Sequence, residues 1–290
     1  MALRTFETAW RRGIRFFDTA PLYGYSLGEL RTGKALRGKP RSAYALSTKV
    51  GRLLRPDAPP ERGQVFFGTP PLNPVFDFSY AAVMQSVKES RERLGIERFD
   101  ILHIHDPDNH FEQALSGAYR ALDELRSRGE IGAVGAGMNQ TKMLAELARH
   151  ADFDCFLLAG RYTLLDQGAL DELFPICLEK GIAIIAAGVY NSGILADPKP
   201  GATYNYFAAS PHLVERAQRI RAVCERHGVP LRAAAVQFPL GHPAVQSVLV
   251  GCRTPEQMLD SVRMFEADIP GELWADLKAE RLLPREAPTP

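Results

Sequence analysis

Short apolar runs alternate with longer amphipathic stretches along the whole chain, and that alternation constrains its fold more than any other feature. The runs that read as strands are 14–18, 45–49, 101–105, 133–137, 156–159, 183–187 and 247–251. Helical patterns lie around them, including 5–12, 80–94, 111–128, 141–150, 170–180 and 213–227. Strands this apolar are expected where helices cover a sheet on both faces. A strict β-then-α order predicts parallel strands joined by right-handed crossovers. At 290 residues the chain suits a single α/β barrel. The expected fold is a TIM-type (β/α)8 barrel over residues 1–281, followed by an irregular tail over 282–290. Only seven strands are found, and a helix precedes the first of them. The barrel is therefore expected to lack its first strand, being open on one side or starting upstream of Met1.

Lys and Arg number 35 against 34 Asp and Glu, so neither a nucleic-acid nor an anionic-membrane partner is expected. No apolar stretch approaches a membrane span, and the N-terminus lacks a signal peptide's apolar core. Cys155, Cys177, Cys224 and Cys252 are widely spaced, which predicts neither a metal site nor a disulfide framework. A cytoplasmic protein acting on a small molecule is expected, with oligomers allowed. Two long segments, 52–78 and 191–209, follow strands and should overhang the edge where those strands end. Loops of that length inside a domain are usually functional.

Three strands end in groups able to handle protons. The first ends at Asp18 with Tyr23 just beyond, the second at Lys49 and the third at His105. In a parallel barrel catalytic groups gather at this C-terminal edge. A buried carboxylate needs a partner, and Lys49 is the natural one for Asp18. A lysine beside a phenol should lower the pKa of Tyr23, letting it act as general acid or base. His105 should serve as a neutral hydrogen-bond donor, while His103 shares its face of the strand at period two. Taken singly these residues read as an ion pair, a loop aromatic and a core histidine. Their linked roles on one edge point to an active site.

Several stretches carry a resemblance: Gly13-Ile14-Arg15-Phe16-Phe17-Asp18-Thr19-Ala20-x-x-Tyr23-Gly24, Ser47-Thr48-Lys49, Asp100-Ile101-Leu102-His103-Ile104-His105-Asp106 and Gly135-x-Gly137-Met138-Asn139. In order and spacing they resemble the aldo-keto reductase family, from about Phe6 to the helix after Gly251. That resemblance implies a catalytic tetrad of Asp18, Tyr23, Lys49 and His105, with Tyr23 as acid or base and hydride passing between substrate carbon and a nicotinamide. It also implies NADP or NAD as cofactor, held without a Gly-x-Gly-x-x-Gly loop. Met138 and Asn139 match the positions that hold the nicotinamide carboxamide, and Gly251, Arg253 and Gln257 lie in the segment matching the adenosine-phosphate grip. A helix starting near Thr254 would offer free N–H groups to an anion.

Three positions depart from the family pattern. Ala159 replaces a glutamine, small residues at Ala187-Gly188-Val189 replace a stacking aromatic, and Gly251 replaces a lysine. The segments around Asp106, Arg161 and Asn191 resemble the sugar-dehydrogenase branch, whose members act on D-threo-aldoses such as L-fucose or on pyridoxal. This implies polar contacts from those three residues to sugar hydroxyls. Two alternatives stand beside it: an aldolase using Lys49 as a Schiff base, and a shortened, non-catalytic nucleotide-binding or interaction protein.

Overall fold

The apolar runs form strands because small and β-branched side chains there are covered on both faces, as in β2 (Ala45–Val50), whose last five residues are all buried. The structure is a computed structural model that describes residues 1–60 and 66–290. Residues 61–65 of the 52–78 segment lie outside the described residues. Seven strands are hydrogen-bonded in one order: β1 (Phe16–Asp18), β2, β5 (Phe99–His105), β6 (Ile131–Met138), β7 (Cys155–Ala159), β8 (Ala183–Ala187) and β11 (Val245–Leu249). The described registers within this sheet are parallel, with Asp18 level with Ser47, Lys49 with His103 and His105 with Gly137.

The chain divides into two compact units. The first comprises Met1–Met138, Glu146–Phe156 and Arg253–Glu256. It opens with α1 (Ala2–Arg11), three residues earlier than the pattern suggested. After β1 come α2 (Leu27–Leu36) and β2, then the hairpin of β3 (Arg52–Arg55) and β4 (Asn73–Phe76). This hairpin, with Arg52 opposite Phe76, occupies what read as an unpatterned insertion. Pro74 hides it, since proline is tolerated in a strand only where no ladder N–H is required. Next comes α3 (Tyr80–Leu94), with the boundaries expected of it. Ser79 Oγ caps its start by accepting from Ala82 N, and Gly95 closes it at φ 67°.

The single helix expected over 111–128 is instead α4 (Phe111–Gln113), a wider π turn over Ala114–Tyr119 and α5 (Arg120–Ser127). Within the π turn Gly117 approaches the chain ahead of α3 closely; a Cβ there would stand 2.3 Å from the Phe78 carbonyl oxygen. That close approach coincides with the widening.

Gly51 turns the chain from β2 into β3 at φ 102°, and a Cβ there would lie 2.1 Å from the fully buried ring of Phe78. Gly51→Ala adds overpacking to left-handed strain. It is expected to cost roughly 2–4 kcal/mol of stability, read as a lowered Tm. An unchanged Tm would mean that the ring has room to move.

The second unit comprises Asn139–Ala145, Leu157–Cys252 and Gln257–Pro290; the chain crosses between units within α6 (Thr141–His150) and within β7. It continues with α7 (Leu173–Lys180), β8 and a small hairpin of β9 (Thr203–Tyr204) and β10 (Phe207–Ala208) inside the 191–209 segment. The helices α8 (Pro211–Arg226) and α9 (Leu231–Gln237) lead to β11, which ends two residues before the expected Gly251. They are followed by α10 (Pro255–Phe265) and α11 (Gly271–Ala279). The tail carries no helix or strand, yet Leu282, Leu283 and Ala287 are buried, so it packs as ordered irregular chain. No helix among the described residues is long and apolar enough to cross a membrane.

Candidate active site

At the C-terminal ends of β1, β2 and β5, all in the first unit, Asp18, Lys49 and His105 meet Tyr23 from the turn after β1. Lys49 Nζ donates to Asp18 Oδ2 at 2.5 Å and to the Thr19 carbonyl at 2.8 Å. Ser47 donates to the other Asp18 oxygen at 2.5 Å. The Lys49 and Asp18 side chains are 1% and 3% exposed, so removal of either would strand a charge. Behind them Thr48 donates to the fully buried Glu29, which also pairs with Arg93 at 2.5 Å, tying β2 to α2 and α3.

Tyr23 is held by a left-handed turn in which Gly24, Tyr25 and Ser26 have φ of 61°, 45° and 80°. Only glycine adopts this geometry without cost, so tertiary packing maintains it at the other two. Gly28 N closes the turn on the Tyr23 carbonyl, and Tyr25 is buried. The Lys49 Nζ lies 4.6 Å from the centre of the Tyr23 ring, and the His105 ring meets Tyr23 edge-on at 5.9 Å. The four residues expected from separate segments are therefore brought together.

The electrostatics correct one expectation. The Tyr23 residue is 36% exposed, yet burial of the phenol among its neighbours dominates its titration. That burial pushes the phenol above its usual value of 10.0, despite Lys49 pulling the other way. Desolvation of the phenolate outweighs the lysine, so Tyr23 rests as a neutral phenol. Burial alone would draw Lys49 down, but Asp18 and Tyr23 outweigh it and hold the ammonium above its ordinary value. A charged, paired lysine is a poor nucleophile, which removes the physical basis for the Schiff-base alternative. Burial, with Lys49 and Arg52 adding to it, drops His105 well below its usual range, so the imidazole stays neutral as expected.

His103 separates cleanly from His105. It is fully buried, both its ring nitrogens lack a partner among the described residues, and burial drops it to about 4. Its ring occupies space that Gly135 leaves; a Cβ there would stand 2.3 Å from its Nδ1.

Asp106, expected as a substrate contact, does join the group. It sits at φ 43°, with its Oδ2 3.5 Å from His105 Nε2 and 2.5 Å from Arg52 Nη2. Sequence reading missed Arg52, and the available signal was a guanidinium one glycine past the Lys49 strand.

In the second unit, Arg161 donates from Nε to the Asn139 carbonyl at 2.8 Å and from Nη1 toward Asp166, Tyr204 and Asn205. It therefore ties Asn139 to the β9–β10 hairpin. Asn191, also left-handed at φ 44°, donates to the Gly160 carbonyl at 3.0 Å and is only 3% exposed. Both residues are engaged in fixing loops.

The remaining cofactor candidates are each placed within their own unit. Met138 is the buried last residue of β6, and the carbonyl of Arg253 accepts from Thr5 at 3.4 Å. Gln257 lies in α10. The expected free start of α10 is partly engaged, because Glu256 bonds its own N–H and Thr254, which holds its carboxyl below the usual value. Two observations in the second unit fit a nicotinamide dinucleotide. Asn191 Oδ1 is buried without a partner among the described residues, a ready acceptor for a carboxamide. A Cβ at Gly251 would meet nothing within 4 Å, leaving its backbone open to a phosphate.

Known proteins resemble this chain over nearly its whole length. The chain is 43% identical to the D-threo-aldose 1-dehydrogenase of a Pseudomonas species, over 98% of this chain and 88% of that one. It is 42% identical to the pyridoxal 4-dehydrogenase of Microbacterium luteolum, over 96% and 87% respectively. Among solved structures, the holo form of the aldo-keto reductase AKR11C1 from Bacillus halodurans superposes with a TM-score of 0.77 over 97% of this chain and 86% of that one, at 24% identity. Family match, relatives and fold together define an NAD(P)-dependent oxidoreductase of the parallel α/β barrel class acting on a small molecule. The model of the aldo/keto reductase family matches residues 1–280. The chain belongs to that family, which leaves the non-catalytic alternative without support.

Proposed function

We propose that the protein oxidises an aldose of the D-threo or L-fucose type at its anomeric carbon, or a related aldehyde, with Tyr23 as acid/base. The observation that carries this reading is the Tyr23 ring lying 4.6 Å from the Lys49 ammonium and edge-on to His105 at 5.9 Å, with Lys49 paired to Asp18 at 2.5 Å. His105, as a neutral donor, orients the reacting oxygen. Tyr23 takes the proton of the anomeric hydroxyl in oxidation and returns it in reduction. Lys49 stabilises the phenolate form of Tyr23, and Asp18 keeps Lys49 in place and charged. A nicotinamide held there would supply the hydride acceptor, and loss of hydride and proton would convert the cyclic sugar to its lactone. Met138, Asn139, Gly251, Arg253 and Gln257 are the residues proposed to hold NAD or NADP. Asp106 is the proposed contact to a sugar hydroxyl. Arg161 acts through the loop it fixes at Asn139, while Asn191 fixes Gly160 through its amide nitrogen and offers its Oδ1 to the nicotinamide carboxamide.

The two relatives described above are named for an aldose and for pyridoxal. The carboxylate of Asp106 beside His105 favours the polyhydroxylated substrate. All four cysteines are free, and three are buried, which supports the reading of a reducing, cytoplasmic setting. The test is absorbance at the reduced-nicotinamide band with L-fucose, D-threo-aldoses and pyridoxal, each with NAD and with NADP. Reduction of the nicotinamide by an aldose is expected. Turnover of pyridoxal alone would overturn the sugar reading and leave the oxidoreductase class intact.

A further inference from the structure

The Arg52–Asp106 pair lies beside the reacting groups, yet the tetrad chemistry does not use it. Arg52 reaches it through the bend at Gly51, and its side chain is 11% exposed. The guanidinium carbon stands 4.7 Å over the ring of Phe76, its partner across the β3–β4 hairpin, and Phe76 in turn stacks on His110. Arg52 Nε is buried without a partner among the described residues. The carboxylate it meets is one-third exposed and on a strained backbone, held where the Asp106 N–H donates to the Gly137 carbonyl. Only Oδ2 of Asp106 is engaged among the described residues, by Arg52 Nη2 and against His105; Oδ1 has no partner there.

Left-handed geometry at a non-glycine residue next to a catalytic candidate is maintained by surrounding packing and often serves function. Here it turns a carboxylate toward the imidazole that orients the reacting oxygen. A planar donor fork and an acceptor oxygen, held together, match a hydroxyl that both donates and accepts.

We propose that Arg52 and Asp106 form a specificity subsite for the hydroxyl on the carbon next to the reacting one, with Asp106 Oδ1 accepting from it and Arg52 donating to it. The subsite rests on the aldose reading above and names the part of the sugar that is recognised. A substrate lacking that hydroxyl leaves the pair unmatched, so the protein selects hydroxylated aldoses over simple aldehydes. Arg52 and Asp106 are 54 residues apart and are joined only by the fold.

The test compares L-fucose with 2-deoxy-L-fucose in wild type, Arg52→Met and Asp106→Asn. Asparagine tolerates left-handed geometry, so the second variant keeps the backbone and guards against a folding failure in the first. Wild type should prefer the 2-hydroxy sugar in kcat/KM by about 10- to 100-fold, the worth of one or two hydrogen bonds to charged groups. That preference should shrink to about threefold or less in Arg52→Met and by a smaller factor in Asp106→Asn, whose neutral amide can still bond the hydroxyl, chiefly through KM for L-fucose. Thermal melting and cofactor-binding fluorescence report whether each variant is folded. An undiminished preference in a folded variant overturns the subsite and leaves the aldose reading standing. No turnover of either sugar by wild type overturns the aldose reading and the subsite together.

Discussion

Tyr23→Phe should lower kcat by about 10²- to 10⁴-fold, the usual worth of a positioned general acid or base. The substitution removes one hydroxyl and keeps the ring that meets His105 edge-on at 5.9 Å and lies under the Lys49 ammonium. Stability and cofactor binding should change little, so the loss belongs to proton transfer. The pH dependence carries a sign. Burial raises the Tyr23 pKa above its ordinary 10.0, so the phenol dominates at neutral pH. Oxidation needs the phenolate, and its rate should climb with pH through the alkaline range without a plateau below that ordinary value. Reduction needs the phenol and should hold its rate across the neutral range. Measuring both directions from pH 6 to 10 checks this. A plateau in oxidation near neutrality, or a Tyr23→Phe enzyme at near wild-type rate, would overturn the assignment of Tyr23.

Lys49→Met should damage activity and stability together. It leaves Asp18 buried with Ser47 as its one side-chain partner among the described residues, and breaking a buried pair in this way costs roughly 3–5 kcal/mol. It also removes the ammonium that offsets burial at Tyr23, so the phenol pKa should rise further and oxidation at pH 8 should become too slow to measure. The double variant Asp18→Asn/Lys49→Met separates the two effects. Removing both charges should recover much of the lost Tm, because no unpaired carboxylate remains, while activity stays lost. Recovery of activity in the double variant would show that Lys49 serves only to neutralise Asp18.

Much of this was legible from the sequence because the relevant signals are one-dimensional. Strands buried on both faces must be short and apolar, so their ends, and hence Asp18, Lys49 and His105, can be located from hydropathy alone. The spacing from Asp18 to Tyr23 does the same for the phenol. Signals that depend on a third dimension were missed. The β3–β4 hairpin was hidden by Pro74, and the break in the 111–128 helix lies where Gly117 meets a distant carbonyl. The direction of the Tyr23 pKa could not be read from a neighbouring lysine, because it turns on burial of the phenol among its neighbours. Arg161 and Asn191 resembled substrate contacts, yet Asn191 donates to the Gly160 carbonyl, and Arg161 to the Asn139 carbonyl and the side chains of Asp166, Tyr204 and Asn205.

The alternation of apolar runs and amphipathic helices determined the fold class and the edge on which the acid, phenol, amine and imidazole stand. Hydrophobic burial imposes that pattern on any chain building such a sheet. Only the tertiary structure decided the protonation states at that edge and the pairing of Arg52 with Asp106. Desolvation and charge contact depend on distances across strands, and the order of residues along the chain does not contain them.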